Sequence, residues 1–156
     1  MKKYAWVPFV LSLVIAQDNS LFFSEYAEGT SNNKYLEIYN GTGSDVDLSN
    51  YSLSSCSNGC DEDNEWDYPD NVTFAAGTII ADGDVYVVYH GSADAAIVAE
   101  GDQAFTYLSN GDDVFAITEA GATASSYTII DIIGVMGEDP GSGWDVAGTT
   151  NGTQNH

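Results

Sequence analysis

Residues 34–40 read KYLEIYN, and their alternation decides the fold class. Leu36 and Ile38 project to one side of an extended chain, while Tyr35, Glu37 and Tyr39 project to the other. That is the period of two of a half-buried strand. The same texture runs outward in both directions. Residues 84–90 (DVYVVYH), 114–118 (VFAIT) and 127–134 (YTIIDIIG) are short, β-branched or aromatic runs. Between them stand Asn40-Gly41, Asn58-Gly59, Asp82-Gly83 and Asn110-Gly111, pairs suited to tight turns with positive φ. About seven such strands in one chain of this length predict an all-β sandwich or barrel in one domain. Leu36, Ile38, Val85, Val87, Phe115, Ile117, Ile130 and Ile132 are expected to face its core.

One segment breaks the rhythm. Residues 92–102 (SADAAIVAEGD) carry a capping Ser92, helix-forming alanines and a Gly101 stop, which predicts a single short helix between two strands.

The first residues have a different character. Met1-Lys2-Lys3-Tyr4 is cationic, residues 5–16 (AWVPFVLSLVIA) are apolar, and Ala16 ends a cleavage-type sequence. This predicts a signal peptide over 1–16 and a mature domain over 17–156 beginning at Gln17. The apolar run is shorter than the roughly 20 residues of a membrane span. The expected location is therefore extracellular, secreted or at the cell surface, with no membrane insertion after processing.

Charge narrows the partners. The chain has 24 acids and three lysines, and the predicted processing leaves Lys34 alone. Such a surface repels phosphate backbones, whose protein affinity comes largely from Lys and Arg, so nucleic acid is excluded as a partner. The acids serve either solubility in a salty medium or capture of cations. Loops rich in them offer Asp61, Asp63, Asp112, Asp113 and Asp139 as candidate calcium ligands, although no loop carries a complete calcium pattern. The two cysteines, Cys56 and Cys60, flank an Asn-Gly turn, and a local disulfide is expected. A zinc site would need further ligands, and only His90 and His156 could supply them.

Catalytic patterns are weak. A Ser-His-Asp arrangement would have to use His90, which follows a strand without a nucleophile-elbow sequence. Paired carboxylates are plentiful, but a glycosidase must hold two in a sugar-binding cleft, and a sandwich without long loops offers little cleft. The aromatic residues suggest binding instead. Trp66 could stand at a loop tip as a binding residue, or pack in the core; for Trp144 the core is expected.

Several segments, taken in order, resemble one family. They are LFFSEY (21–26), Gly29 to Asn33, KYLEIYN, Gly41-Thr42-Gly43, VDLSNYSL (46–53), GDVYVV (83–88), SNGDD (109–113), IDIIG (130–134) and Gly143-Trp144. Each motif is weak alone, but the ordered series is similar to exported bacterial lamin-tail domains over residues 21–156. The resemblance implies an immunoglobulin-like β-sandwich, and the weak catalytic patterns lead to the expectation that the module is not an enzyme. It also implies a last strand where this sequence stops at Asn155-His156. Either that strand is missing or, as expected, the sequence is part of a longer surface protein. The resulting expectation is a structural, adhesive or binding module, without a cofactor unless calcium binds, acting through protein or glycan contacts at the cell surface. The alternative is an accessory domain of a secreted, nuclease-type hydrolase whose catalytic part lies beyond His156. Chromatin binding, the role of animal lamin tails, conflicts with the charge.

Overall fold

The computed structural model describes residues 20–155, so the expected signal peptide and cleavage point lie outside the described residues. KYLEIYN forms one strand, β2 (Lys34–Asn40), paired antiparallel with β1 (Leu21–Glu28) on one side and β7 (Val85–Tyr89) on the other. A two-residue strand, β8 (Gln103–Ala104), adds in parallel to β7 and completes a sheet ordered β1-β2-β7-β8. The facing sheet has the order β10-β9-β4-β5, from β4 (Tyr51–Cys56), β5 (Tyr68–Thr73), β9 (Val114–Glu119) and β10 (Ile129–Ile133). A short ribbon of β3 (Val46–Asp47) and β6 (Ile79–Ile80) stands apart from both. This is the expected all-β, immunoglobulin-like sandwich.

Between the sheets lies the main core, with Leu21, Leu36, Ile38, Leu53, Val72, Val88, Phe115 and Ile117 all buried. Phe74 and Tyr86 meet edge to face there, at 5.4 Å between centroids. The reading of residues 34–40 holds, since Leu36 and Ile38 are fully buried. Two strand phases differ from expectation. In β7 the residues opposite Leu36 and Ile38 are Val88 and Tyr86, so these two face the core. Val87 is buried beside the helix on the other face, and Val85 is exposed. Valines at both parities of DVYVVYH hide the phase in the sequence. In β10 the register shifts between Ile129 and Asp131. The extra residue of this bulge lets Ile130 and Ile133 pack on the core and leaves Ile132 exposed.

The helix α1 (Ala95–Glu100) is shorter than its sequence signal, and Asp94 rather than Ser92 stands at its N-cap. His90 and Ser92 instead make the preceding turn, the Ser92 amide donating to His90 Nδ1. Residues after β10 form turns rather than a further strand among the described residues.

A second, smaller core covers the outer face of the β4–β9 pair. Cys56, Trp66, Val114 and Ala116 are buried there, with Cys60, Tyr127, Ile129, Met136 and Trp144 packed around them. The disulfide Cys56–Cys60 forms as expected and closes the loop that delivers Trp66. Gly59 in that loop has φ +90°, and a Cβ on it would lie 2.1 Å from the Glu138 carbonyl oxygen, so only glycine lets the later chain pass so closely. Farther along the same face, Ser52, Ser54 and Thr118 are buried polar residues that satisfy one another through Oγ–Oγ1 hydrogen bonds of 2.8 and 2.9 Å.

Candidate functional site

Two edges of the sandwich, β5 and β8, are left by the strand order at one side of the molecule. They are tied by the Gln103 side-chain amide, which donates to the Thr73 carbonyl at 3.2 Å. The chain leaving β8 then crosses toward β9 as residues 105–113. Where it crosses, a cavity of about 270 Å³ opens over Phe115, Ser55 and Cys56. Tyr68 and Tyr107 wall it, and they are 50% and 78% exposed.

Local sequence explains both exposures. In β5, Asp70 adopts φ +48° and accounts for the register shift against β4, so that Tyr68 pairs with Ser55 while Val72 pairs with Leu53 in the core. The Asp70 carboxylate secures this bulge by accepting from the Gly121 and Ala122 amides and from Ser52 Oγ. Tyr107 is levered outward by its neighbours: Leu108 and Ser109 are buried, Phe105 packs on the core, and the Phe105 and Tyr107 rings meet edge to face at 6.0 Å. Polar groups complete the cleft. Asn71 Nδ2 donates to Ser55 Oγ at 2.7 Å, and Asp113 Oδ1 accepts from the Asn58 amide at 2.9 Å. Burial raises the Asp113 carboxyl above the usual carboxylate range, and the neighbouring Asp112 charge adds to this, against the hydrogen bonds it accepts.

Past Tyr107 the surface dips again into a polar depression that shares Ser57, Tyr107 and Asp113 with the cleft and adds Asn32, Lys34, Asn58, His90 and Asn110. Together the two form one continuous surface, apolar on one side of the Tyr107 ring and hydrogen-bonding on the other.

The residues singled out in the sequence fall partly here. Asp112 and Asp113 lie beside the cleft, and Asp112 Oδ1 is buried with no hydrogen-bond partner among the described residues. Asp61 and Asp63 stand in an exposed loop, and Asp139 caps its own turn by accepting from the Gly141 amide. The five calcium candidates are not gathered: among the described residues no set of three His, Cys, Asp or Glu side chains could hold a metal ion. Trp66 corrects the binding expectation. It is 2% exposed, its ring lies edge-on to Tyr127 at 5.6 Å, and its amide is bonded to the Ala124 carbonyl. Trp66 is therefore a core residue, placed there because the disulfide loop folds back over β4. Trp144 is half-buried in the same core, as expected, its indole N–H donating to the Asp113 carbonyl. Among the described residues the exposed aromatics are instead Tyr68 and Tyr107. Their signal in the sequence is faint, because Tyr68 sits in a strand whose bulge is unmarked and Tyr107 in an aperiodic loop.

The described residues contain no helix long and apolar enough to cross a membrane. No curated protein matches the chain. A family model does: the Lamin Tail Domain model matches residues 15–131, well over half of the sequence.

Proposed function

The chain belongs to the lamin tail domain family, and on that premise we propose that it is an exported, non-catalytic module that binds glycans at the cell surface through the Tyr68–Tyr107 cleft. The observation that carries this reading is the pair of tyrosine rings left in solvent beside an apolar floor. Rings exposed around one apolar floor are a cost to solubility unless something covers them. An aromatic face stacks on the apolar face of a sugar ring, while the Asn71 side chain and the Ser57 hydroxyl can pair with sugar hydroxyls. The cavity volume suits one ring rather than a long chain.

Charge selects among glycans. With 24 acids in the sequence, sulfated or uronic-acid polymers are repelled, and neutral sugars are favoured. The cleft lining supports binding over hydrolysis. Asp113 is the one carboxylate among the residues that line it, whereas glycoside hydrolysis needs two acids set across the scissile bond. The signal-like residues 1–16 and the disulfide support export, since disulfides persist in oxidising compartments.

Affinity electrophoresis of the exported protein through gels containing neutral or sulfated polysaccharides tests the proposal. Retardation by at least one neutral polymer and by none of the sulfated ones is expected. Free migration through every neutral polymer, with capture by a protein ligand instead, would overturn the glycan reading.

A further inference from the structure

Lys34 is the only lysine or arginine among the described residues, and it is not spent on the surface. It is 6% exposed at the start of β2, directly opposite Glu28, itself 7% exposed, at the end of β1. Lys34 Nζ lies 3.3 Å from Glu28 Oε1 and donates to Asn110 Oδ1 at 2.6 Å. Asn110 arrives from the turn before β9, 76 positions along the chain. That turn is itself held: Gly111 donates its amide to Ser109 Oγ, and Ser109 accepts from the Tyr26 hydroxyl. A buried amine, a buried carboxyl and a carboxamide thus meet at one point, with the amine in contact with both others.

We propose that Lys34 and Asn110 join in an intramolecular isopeptide bond, with Glu28 as the proton carrier. In the first step Lys34 Nζ passes a proton to the Glu28 carboxylate, 3.3 Å away. The neutral Nζ then attacks Asn110 Cγ, the carbon that bears the oxygen already bonded to it, and this fixed approach replaces the entropy cost of an encounter. The Nζ–Cγ bond forms and the Cγ–Nδ2 bond breaks. Glu28 gives its proton to the departing nitrogen and receives one from Nζ, so Nδ2 leaves as ammonia. Ammonia then takes up the proton on Glu28, and the carboxylate is restored. No oxidant or cofactor is required. Asn110 stands in an exposed turn, which gives the ammonia a direct way into water. The product staples β2 to the segment that enters β9, joining the two sheets covalently. It also removes the charge of the only lysine among the described residues of a strongly acidic domain. Lys34 and Asn110 also line the polar depression beside the cleft, but the bond is argued from their own contacts and requires no glycan.

Peptide mapping of the full exported chain, after denaturation and reduction of the disulfide, tests it. The expected result is a branched peptide in which the Lys34 segment and the Asn110 segment are joined and together weigh one ammonia less than their sum. Glu28→Ala and Lys34→Arg should return the two segments as separate, full-mass peptides. Separate full-mass peptides from the unaltered protein would overturn the proposal, and so would deamidation at Asn110. An ammonia loss that maps instead to a cyclised Gln17, or to a cyclic imide at Asn110-Gly111, would overturn it equally. The unaltered chain alone decides the matter, so the result does not depend on whether a variant folds.

Discussion

The Phe23 amide donates to the Asp131 carboxylate at 2.8 Å, across 108 positions of sequence. Both residues lie at register shifts, Phe23 where β1 slips against β2 and Asp131 where β10 slips against β9. The two bulges thus meet through a backbone amide of one and a side chain of the other. The contact closes the sandwich along its β1–β10 side, opposite the side where β5 and β8 leave the cleft open.

Removing this link should loosen the closed side. Asp131→Ala leaves the Phe23 amide without its acceptor, at a cost of about 1–3 kcal/mol. Urea denaturation should report that loss, with Asp131→Asn recovering part of it because the amide oxygen can still accept.

The corrected strand phases make a second test. Truncating Leu36, Ile38 or Ile117 to Ala should cost about 2–5 kcal/mol, and Phe115→Ala about 3–5 kcal/mol. Val85→Ala and Ile132→Ala, at exposed positions, should cost no more than about 0.5 kcal/mol by the same denaturation assay. The fold was legible where one hydrophobic parity dominates, as in KYLEIYN. It was illegible where both parities are apolar, as in residues 84–90 and 127–134, because cross-strand pairing and a bulge then choose the face. The disulfide was readable from the spacing of the two cysteines around an Asn-Gly turn. The cleft was not, since it arises from the Asp70 bulge and a crossing loop that leave no periodic mark. Trp66 was ambiguous for a related reason: its burial depends on a loop closing over the outside of a sheet.

Asp113 carries a pH prediction. Its carboxyl is raised in the folded state, chiefly by burial, so the folded protein holds that proton more tightly than the unfolded chain. The stability this group contributes is fully present below the unfolded carboxylate range and is lost as pH rises through the raised folded value. Asp113→Asn keeps the acceptor for the Asn58 amide without the charge. The variant should therefore melt higher than the unaltered protein at pH 7, with the gap closing in acid. Asp47 has the opposite sign. Its carboxyl is lowered by the Ser49 hydrogen bonds, so its contribution is present above the unfolded range and lost as pH falls. Asp47→Ala should thus lose stability at pH 7 and lose none in acid.

Net charge makes a fourth test. Screening should relieve the repulsion among 24 acids, so the melting temperature should rise as sodium chloride goes from millimolar to several hundred millimolar. At matched ionic strength, calcium, magnesium and sodium should give equal curves, because the carboxylates named as calcium ligands are not gathered into a site. A larger gain with low millimolar calcium would reveal a bound ion through its linkage to the native state.

The cleft is tested most directly by titrating a neutral oligosaccharide, chosen from a polymer that retards the protein, into the unaltered chain and into Tyr68→Ala and Tyr107→Ala. Both rings are exposed, so both variants should keep the parent melting temperature to within a few degrees. The account predicts that each loses at least about tenfold in affinity, as expected when an aromatic anchor is removed from a binding site. Unchanged affinity in both variants, with melting temperatures also unchanged, would contradict it.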